Sequence, residues 1–104
     1  MKYVYLFETY NKYVFEYKIG NTKNIKQRIK GLQTGNPNKI TCKYKFKSNY
    51  PTKLEAYLQR IFDVDNLNGE WFSLTSKQID NFENMCISYE KGLKFLKDSG
   101  NPFV

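Results

Sequence analysis

The spacing of apolar residues along this chain changes between two periods in a fixed order. A repeat of two residues is typical of a half-buried strand, and a repeat of three to four is typical of a helix with one buried face. The two-residue repeat covers three segments: 2–8, 14–19 and 39–47. The helical repeat covers 22–33, a segment that opens at Pro51, and the stripe from Ile79 to Leu96. The order ββαβα plus a C-terminal helix predicts an α+β fold over 1–104 as a single domain, with a small, mainly antiparallel three-stranded sheet flanked by helices.

Turn-forming residues mark the boundaries between these elements. We expect a turn over 9–13, a break at Gly20 and Asn21, a loop over 34–38 and a turn over 66–69. Thr75 and Gln78 have the spacing of a capping box, which predicts the start of the last helix. Residues 70–74 predict a short strand, and we expect 99–104 to form a loosely held tail.

Positive charge is concentrated in the middle of the chain. From Tyr17 to Leu54 there are ten lysine or arginine residues and no aspartate or glutamate, whereas the net charge of the whole chain is +7. The remaining residues therefore sum to −3, from seven basic and ten acidic side chains. A block of one sign favours a polyanionic partner, and phosphate is the most common one. We expect a nucleic acid or another anionic surface as the partner.

The cysteine and histidine content limits the metal sites that this chain can form. The chain has no histidine, and Cys42 and Cys86 are isolated from each other, which argues against a structural zinc site. Two buried thiols are the expected state in a cytosolic protein, and a disulfide is the alternative. No apolar run is long enough to span a membrane or to form the apolar core of a signal peptide. We expect a cytoplasmic protein without a membrane partner, in the host cytoplasm if a phage or virus encodes it.

Six lysines are the expected nucleic-acid-binding residues. The third strand-like segment alternates, with Ile40, Cys42, Tyr44 and Phe46 on one face and Lys39, Lys43, Lys45 and Lys47 on the other. At 100° per residue, three lysines also fall on the outer face of the first predicted helix. The expected binding set is therefore Lys23, Lys26, Lys30, Lys43, Lys45 and Lys47.

Arg28 and Glu55 each allow two interpretations. Arg28, the only arginine of the basic block, falls at the edge of the buried helix stripe. It is either an arginine that covers core surface with its alkyl chain or an inward guanidinium presented to a phosphate. Glu55 either closes a capping box with Thr52 or holds Mg²⁺ against a phosphate.

The aromatic residues also allow two interpretations. Tyr3, Tyr5 and Phe7 share a strand face, which is most often plain sheet packing and more rarely presents a phenol for proton transfer. Trp71 and Phe72 most often plug a core, and base stacking is the alternative.

Taken together, these residues resemble the GIY-YIG nuclease fold. The resemblance rests on the hairpin with 3–5 (Tyr-Val-Tyr) on its first strand and 18–20 (Lys-Ile-Gly) ending its second. Arg28, eight residues past Gly20, matches the helix arginine of that family, and Glu55 matches its metal-binding glutamate. The Lys-Ile-Gly form, the loop at 34–38 and the late Glu-Trp-Phe at 70–72 are similar to the T5orf172 (MUG113-like) branch, which is common in phages and large viruses. The resemblance extends from residue 3 to about residue 74.

The resemblance implies a divalent-metal-dependent endonuclease that hydrolyses phosphodiester bonds in DNA, with RNA as an alternative substrate. It implies one Mg²⁺ or Mn²⁺ ion held by Glu55, an attacking water positioned or deprotonated by Tyr5, and a scissile phosphate neutralised by Arg28. The second tyrosine of the family pattern is replaced here by Lys18, which could bind phosphate, while Tyr17 lies beside it on the opposite strand face. The first glycine of the pattern is also replaced, by Tyr3. A single cleft would need a second copy to cut both strands, so a homodimer is an expected partner arrangement.

Two other functions compete with the enzyme. The first is a catalytically inactive module of the same fold that binds nucleic acid. The second is a phage or viral inhibitor whose basic face docks on an acidic host protein.

Overall fold

The computed structural model describes residues 2–62, 66–68 and 71–100. Within these residues the chain forms five strands and three helices. In chain order they are β1 (Lys2–Asn11), β2 (Val14–Thr22), α1 (Ile25–Gln33), β3 (Ile40–Ser48), α2 (Pro51–Phe62), β4 (Asn66–Asn68), β5 (Trp71–Phe72) and α3 (Ser76–Asp98). The predicted α+β class and the order ββαβα followed by a C-terminal helix are confirmed.

The strands form one antiparallel sheet in the order β3-β1-β2-β5-β4. The expected three-stranded sheet is therefore extended by two short strands beside β2. The segment 66–69 was predicted as a turn, but Asn66–Asn68 pairs with β5, and Gly69 lies outside the described residues. The predicted short strand over 70–74 is confirmed at Trp71–Phe72, whereas Glu70 and most of the predicted tail, from residue 101 onward, lie outside them.

The hairpin of β1 and β2 is longer than its sequence predicts. Its turn consists of Lys12 and Tyr13, which have positive φ angles of 47° and 75°. The expected break at Gly20 and Asn21 is wrong, because these residues continue β2 opposite Tyr5 and Val4. Pairing with a long neighbouring strand has here overridden the turn preference of a Gly-Asn pair.

The two faces of the sheet bury separate cores. On one face, Val4, Leu6 and Ile19 pack with α2 and α3. On the other face, Tyr5 and Phe7 pack with α1 and with Trp71. We call these the α2–α3 face and the α1 face. The core-plug interpretation of Trp71 and Phe72 is confirmed: Phe72 is buried in the core of the α2–α3 face, and Trp71 packs against the core of the α1 face.

A β-bulge divides β3 between the two faces. The pairing of β1 with β3 shifts between Leu6 and Phe7, so that Leu6 lies opposite Tyr44 while Phe7 lies opposite Cys42. Ile40 and Cys42 consequently pack on the α1 face, whereas Tyr44 and Phe46 pack on the α2–α3 face. The prediction that these four residues share one face is wrong, because one extra residue in a strand reverses the side of everything beyond it.

Side-chain caps fix where the helices begin. The Asn24 side chain accepts a hydrogen bond from the backbone of Gln27 at the start of α1. At the start of α3 both bonds of the predicted Thr75–Gln78 capping box are present. The turn before α2 is held from α3, where the Glu90 carboxylate accepts bonds from the Ser48 hydroxyl and the backbone of Asn49.

The apolar stripe predicted for α3 is confirmed from Ile79 to Leu93. Ile79, Phe82, Cys86 and Leu93 are buried, whereas Leu96 near the end of the helix is 40 % exposed. Both cysteines are free thiols; Cys86 is buried and Cys42 is half-buried. In the part of the chain that the structure describes, no helix has the length and apolar character needed to cross a membrane.

Candidate active site

One end of the sheet gathers the starts of two helices. Lys2 at the start of β1 pairs with Ser48 at the end of β3, and Tyr3 pairs with Thr22 at the end of β2. Helix α1 begins three residues after Thr22, and helix α2 begins three residues after Ser48. Five elements therefore converge here, and we call this place the site end of the sheet.

Tyr5 is the buried centre of the α1 face near this end. Its side chain is 1 % exposed, and its ring stacks on Phe7 with centroids 3.7 Å apart and an interplanar angle of 13°. Its hydroxyl lies over Gly20, the residue paired with Tyr5 across the hairpin. A Cβ atom at position 20 would lie 2.3 Å from that hydroxyl. Only glycine at this position leaves room for the phenol where it stands.

Arg28 reaches the same phenol from α1. It is the fourth residue of the helix, and its Nε atom donates a hydrogen bond to the Tyr5 hydroxyl at 3.4 Å. The side chain is otherwise exposed. The predicted orientation of Arg28 toward the sheet is confirmed by this contact, whereas a phosphate as its partner stays a prediction. The planar guanidinium contacts a phenol, and the residue is exposed to solvent.

Glu55 lies in the second turn of α2. The side-chain amide of Asn21 donates a hydrogen bond to its Oε1 atom at 2.8 Å, which engages one of the two carboxylate oxygens. The capping-box interpretation of Glu55 is wrong, because α2 begins at Pro51 and Glu55 is its fifth residue rather than its third. Proline suits the first helical position, where its missing N–H costs no hydrogen bond.

The two groups of site residues meet at one peptide of β2. Successive residues of a strand point to opposite faces of the sheet. Gly20 therefore faces the α1 side, where Tyr5 and Arg28 lie, and Asn21 faces the α2–α3 side, where it holds Glu55. The structure brings Tyr5 together with Arg28 and Asn21 together with Glu55, with the two pairs on opposite sides of the site end.

Lys18 and Tyr17 also separate to the two faces. Lys18 is 7 % exposed and lies opposite Phe7 on the α1 face, two residues before Gly20. Tyr17 is buried on the other face, and its hydroxyl donates a hydrogen bond to the Glu8 carboxylate at 2.8 Å. Burial and this bond to the Glu8 carboxylate raise the pKa of Tyr17 well above its ordinary value. The structure therefore groups Lys18, but not Tyr17, with Tyr5.

Two residues with amide side chains at the site were not singled out by the sequence patterns. One is Asn21, the partner of Glu55. The other is Gln59, one turn after Glu55, whose side-chain amide donates to the backbone carbonyl of Ile19 at 3.2 Å. The four-residue spacing of Glu55 and Gln59 on one helix was the available signal, because such residues lie on the same helix face.

The electrostatic setting of the site end is positive. Neither α1 nor α2 has an acidic residue in its first turn, so the partial positive charge of both helix starts is uncompensated within those turns. A shallow depression of about 440 Å³ beside the start of α2 is lined by Lys2, Lys23, Ser48, Asn49, Pro51 and Thr52. The exposed Lys26 and Lys30 lie further along α1.

The residues present fit a divalent ion that shares its ligands with a substrate. The described residues contain no group of three or more acidic, cysteine or histidine side chains that could enclose a metal. Mg²⁺ is commonly bound by only one or two carboxylates, with substrate phosphates completing its coordination. Glu55, with one oxygen outside the Asn21 bond, matches the protein part of such a site.

A known protein family matches most of the chain. The model of the T5orf172 domain family matches residues 2–87, a range that contains all the residues of the site end described above. No curated protein and no solved structure matches the chain.

Proposed function

The chain belongs to the T5orf172 domain family, a GIY-YIG-like family associated with nucleases, and on that premise we propose that it is a divalent-metal-dependent DNA endonuclease. The observation that carries the proposal is the contact of Arg28 with the Tyr5 hydroxyl above Gly20. A buried phenol and a solvent-accessible guanidinium side by side suit a phosphodiester, whose hydrolysis needs charge stabilisation and a positioned water.

Each site residue has a defined task in this reaction. Arg28 binds the non-bridging oxygens of the scissile phosphate and offsets the negative charge that grows on them. The Tyr5 hydroxyl, fixed by its stack on Phe7, orients the attacking water by a hydrogen bond, and the proton of that water passes to solvent. The buried ammonium of Lys18 adds positive charge on the same face.

Glu55 is the residue that would hold the metal ion, and Asn21 fixes the carboxylate for this task. The chemistry that such an ion supplies is stabilisation of charge on the phosphoryl oxygens and activation of a bound water. The two positive helix starts lie at the same end of the sheet, where they favour a phosphate group. The proposal requires that a phosphate at the site end reach Arg28 on the α1 face and a metal site at Glu55 on the α2–α3 face.

Conversion of supercoiled plasmid to the nicked form tests this proposal. We expect nicking by the parent protein in Mg²⁺ or Mn²⁺, none in EDTA, and none by the Glu55→Gln variant in either metal. Nicking by the parent that is unaffected by EDTA would overturn the metal-dependent mechanism.

A second candidate function is a module that binds nucleic acid without cutting it. It is favoured by the burial of Tyr5, which is 1 % exposed, and by the bond that already engages one oxygen of Glu55. Salt-dependent DNA binding by a parent protein that never nicks plasmid would support this second function. A third proposal is that a phage or virus encodes the chain and that its basic face binds an acidic host protein.

A further inference from the structure

We propose that the phosphate backbone of DNA runs along Lys45 and Lys47 on the α1 face of the edge strand β3, continues past Lys23, and leaves Lys43 out. We call Lys45, Lys47 and Lys23 the lysine strip. The inference rests on the proposed function in taking DNA as the partner, and it adds the path by which DNA reaches the site end. It also revises the expectation that Lys43 acts with its neighbours.

The β-bulge supplies the first step of the argument. Lys45 lies opposite Tyr5 and Lys47 lies opposite Tyr3, so both lie on the face of the sheet that carries Arg28. Because the register shifts between Leu6 and Phe7, the simple alternation that would include Lys43 is interrupted. Lys45 and Lys47 therefore lie on the face of the proposed site, and Lys43, which belongs to the same alternating sequence pattern, does not.

A cation–π contact places Lys45 on the α1 face, and its electrostatic effect on a neighbouring thiol agrees with that position. Its ammonium lies 5.6 Å from the centre of the Tyr3 ring, a distance at which a cation is attracted to the ring face. Its charge also acts on Cys42, which packs on the same face; burial raises the pKa of that thiol, and Lys45 opposes the rise. The ammonium therefore stands over the first strand rather than projecting away from the sheet edge.

The surroundings of Lys43 are different. It lines a depression on the other face of the sheet together with Glu8, Tyr17 and Asp80. Two carboxylates in this depression offset its positive charge, so a phosphate gains less from approaching it. The bulge therefore separates a lysine in acidic surroundings from two lysines in basic ones.

The helices on the two faces reinforce this separation. Helix α1 carries three basic residues and no carboxylate, whereas α3 on the opposite face carries four carboxylates and four lysines and is neutral overall. A DNA backbone is therefore attracted more strongly to the α1 side than to the side of α3.

The strip ends where the reaction is proposed to occur. Tyr3 lies between Lys47 on one neighbouring strand and Thr22 on the other, and Lys23 follows Thr22 directly. Lys23 also lines the depression at the start of α2. A backbone that follows Lys45, Lys47 and then Lys23 arrives at the site end.

The test is the salt dependence of DNA binding, measured in EDTA so that no cleavage occurs. Anisotropy of a short fluorescein-labelled duplex is recorded for the parent, Lys45→Gln, Lys47→Gln and the matched control Lys43→Gln, each of which removes one charge. For Lys45→Gln and Lys47→Gln we expect the negative slope of log affinity against log salt concentration to become shallower by about 0.9. The factor by which affinity falls between about 50 and 200 mM salt is then about 3.5 times smaller than in the parent. Lys43→Gln should keep the slope of the parent.

Equal slopes for all three variants would overturn the strip, whether all match the parent or all fall by the same amount. If the parent still nicks plasmid in Mg²⁺ in that case, the proposed function survives and only the path of the DNA is wrong. A parent that neither binds nor nicks DNA would overturn both. Thermal unfolding of each variant shows whether a changed slope comes from a folded protein.

Discussion

The Nε atom of Arg28 donates a hydrogen bond to the hydroxyl of Tyr5 at 3.4 Å, which joins the first turn of α1 to the middle of the sheet. These residues are 23 positions apart in the sequence, and Gly20 lies beneath the phenol. The contact joins a fixed aromatic hydroxyl to the guanidinium of a residue that is exposed to solvent. The predictions below concern this pair, the carboxylate beyond it and the fold that holds both.

Gly20 tests whether the position of the Tyr5 phenol matters. In Gly20→Ala the new methyl group would lie 2.3 Å from the Tyr5 hydroxyl, so the ring must move. We expect loss of nicking and a decrease of about 1–3 kcal/mol in the free energy of unfolding, which is typical of overpacking. Plasmid nicking and urea denaturation measure the two effects.

The matched control is Gly31→Ala, in α1. No atom lies within 4 Å of a Cβ placed there, so nothing has to move. Alanine in a helix should raise the free energy of unfolding by about 0.5–1 kcal/mol and leave nicking unchanged. Full activity in Gly20→Ala would show that the site does not depend on where the phenol stands.

Glu55→Gln separates metal binding from structure. The carbonyl oxygen of glutamine can accept the bond from Asn21 as the carboxylate does, so we expect the free energy of unfolding to change by less than about 0.5 kcal/mol. The charge that a divalent ion requires is lost, so nicking should disappear at every Mg²⁺ concentration. Glu83→Gln, an exposed change on α3, is the control and should remain active.

Tyr17 gives the fold a specific response to alkaline pH. Its pKa in the folded protein is raised, so the unfolded chain releases the phenol proton first, near pH 10. The contribution of Tyr17 to stability is therefore complete below about pH 10 and decreases as the pH rises above it, by about 1.4 kcal/mol per pH unit. Denaturation of the parent and Tyr17→Phe at several alkaline pH values should show a steeper loss in the parent. Parallel curves would contradict the assignment.

Glu90 holds the turn that starts α2. Its carboxylate accepts from the Ser48 hydroxyl, which is fully buried, and from the backbone of Asn49. In Glu90→Ala these groups lose their partner, and we expect the free energy of unfolding to fall by about 1–3 kcal/mol. Glu83→Ala, an exposed change on the same helix, should have little effect in the same denaturation experiment.

Local patterns were sufficient to predict much of this fold. The capping box of Thr75 and Gln78 depends on four neighbouring residues, and the inward direction of Arg28 depends on the helical period around Ile25. Such features are set within one or two turns of chain. They could therefore be predicted before any tertiary contact was known.

Features that depend on distant partners could not be predicted in this way. The alternation of lysines in β3 continues unchanged through the bulge, because an extra residue opposite Leu6 and Phe7 leaves no trace in the pattern of one strand. The bond of Asn21 with Glu55 spans 34 residues and depends on β2 continuing past Gly20. The capping box predicted at Glu55 was wrong because Glu90, 41 residues from Asn49, holds the turn before α2, and no local pattern shows this contact.

The measurement that tests the central claim most directly is the rate of plasmid nicking by the parent, Arg28→Ala and Gln27→Ala in Mg²⁺. Gln27 is exposed beside Arg28 on α1, so its replacement controls for a general change in that helix. We expect the rate to fall about a hundredfold or more in Arg28→Ala, as when a group that stabilises developing charge is removed, and to stay at the parent value in Gln27→Ala. Equal nicking rates in Arg28→Ala and the parent would contradict the proposal that this arginine and Tyr5 form a phosphodiesterase site.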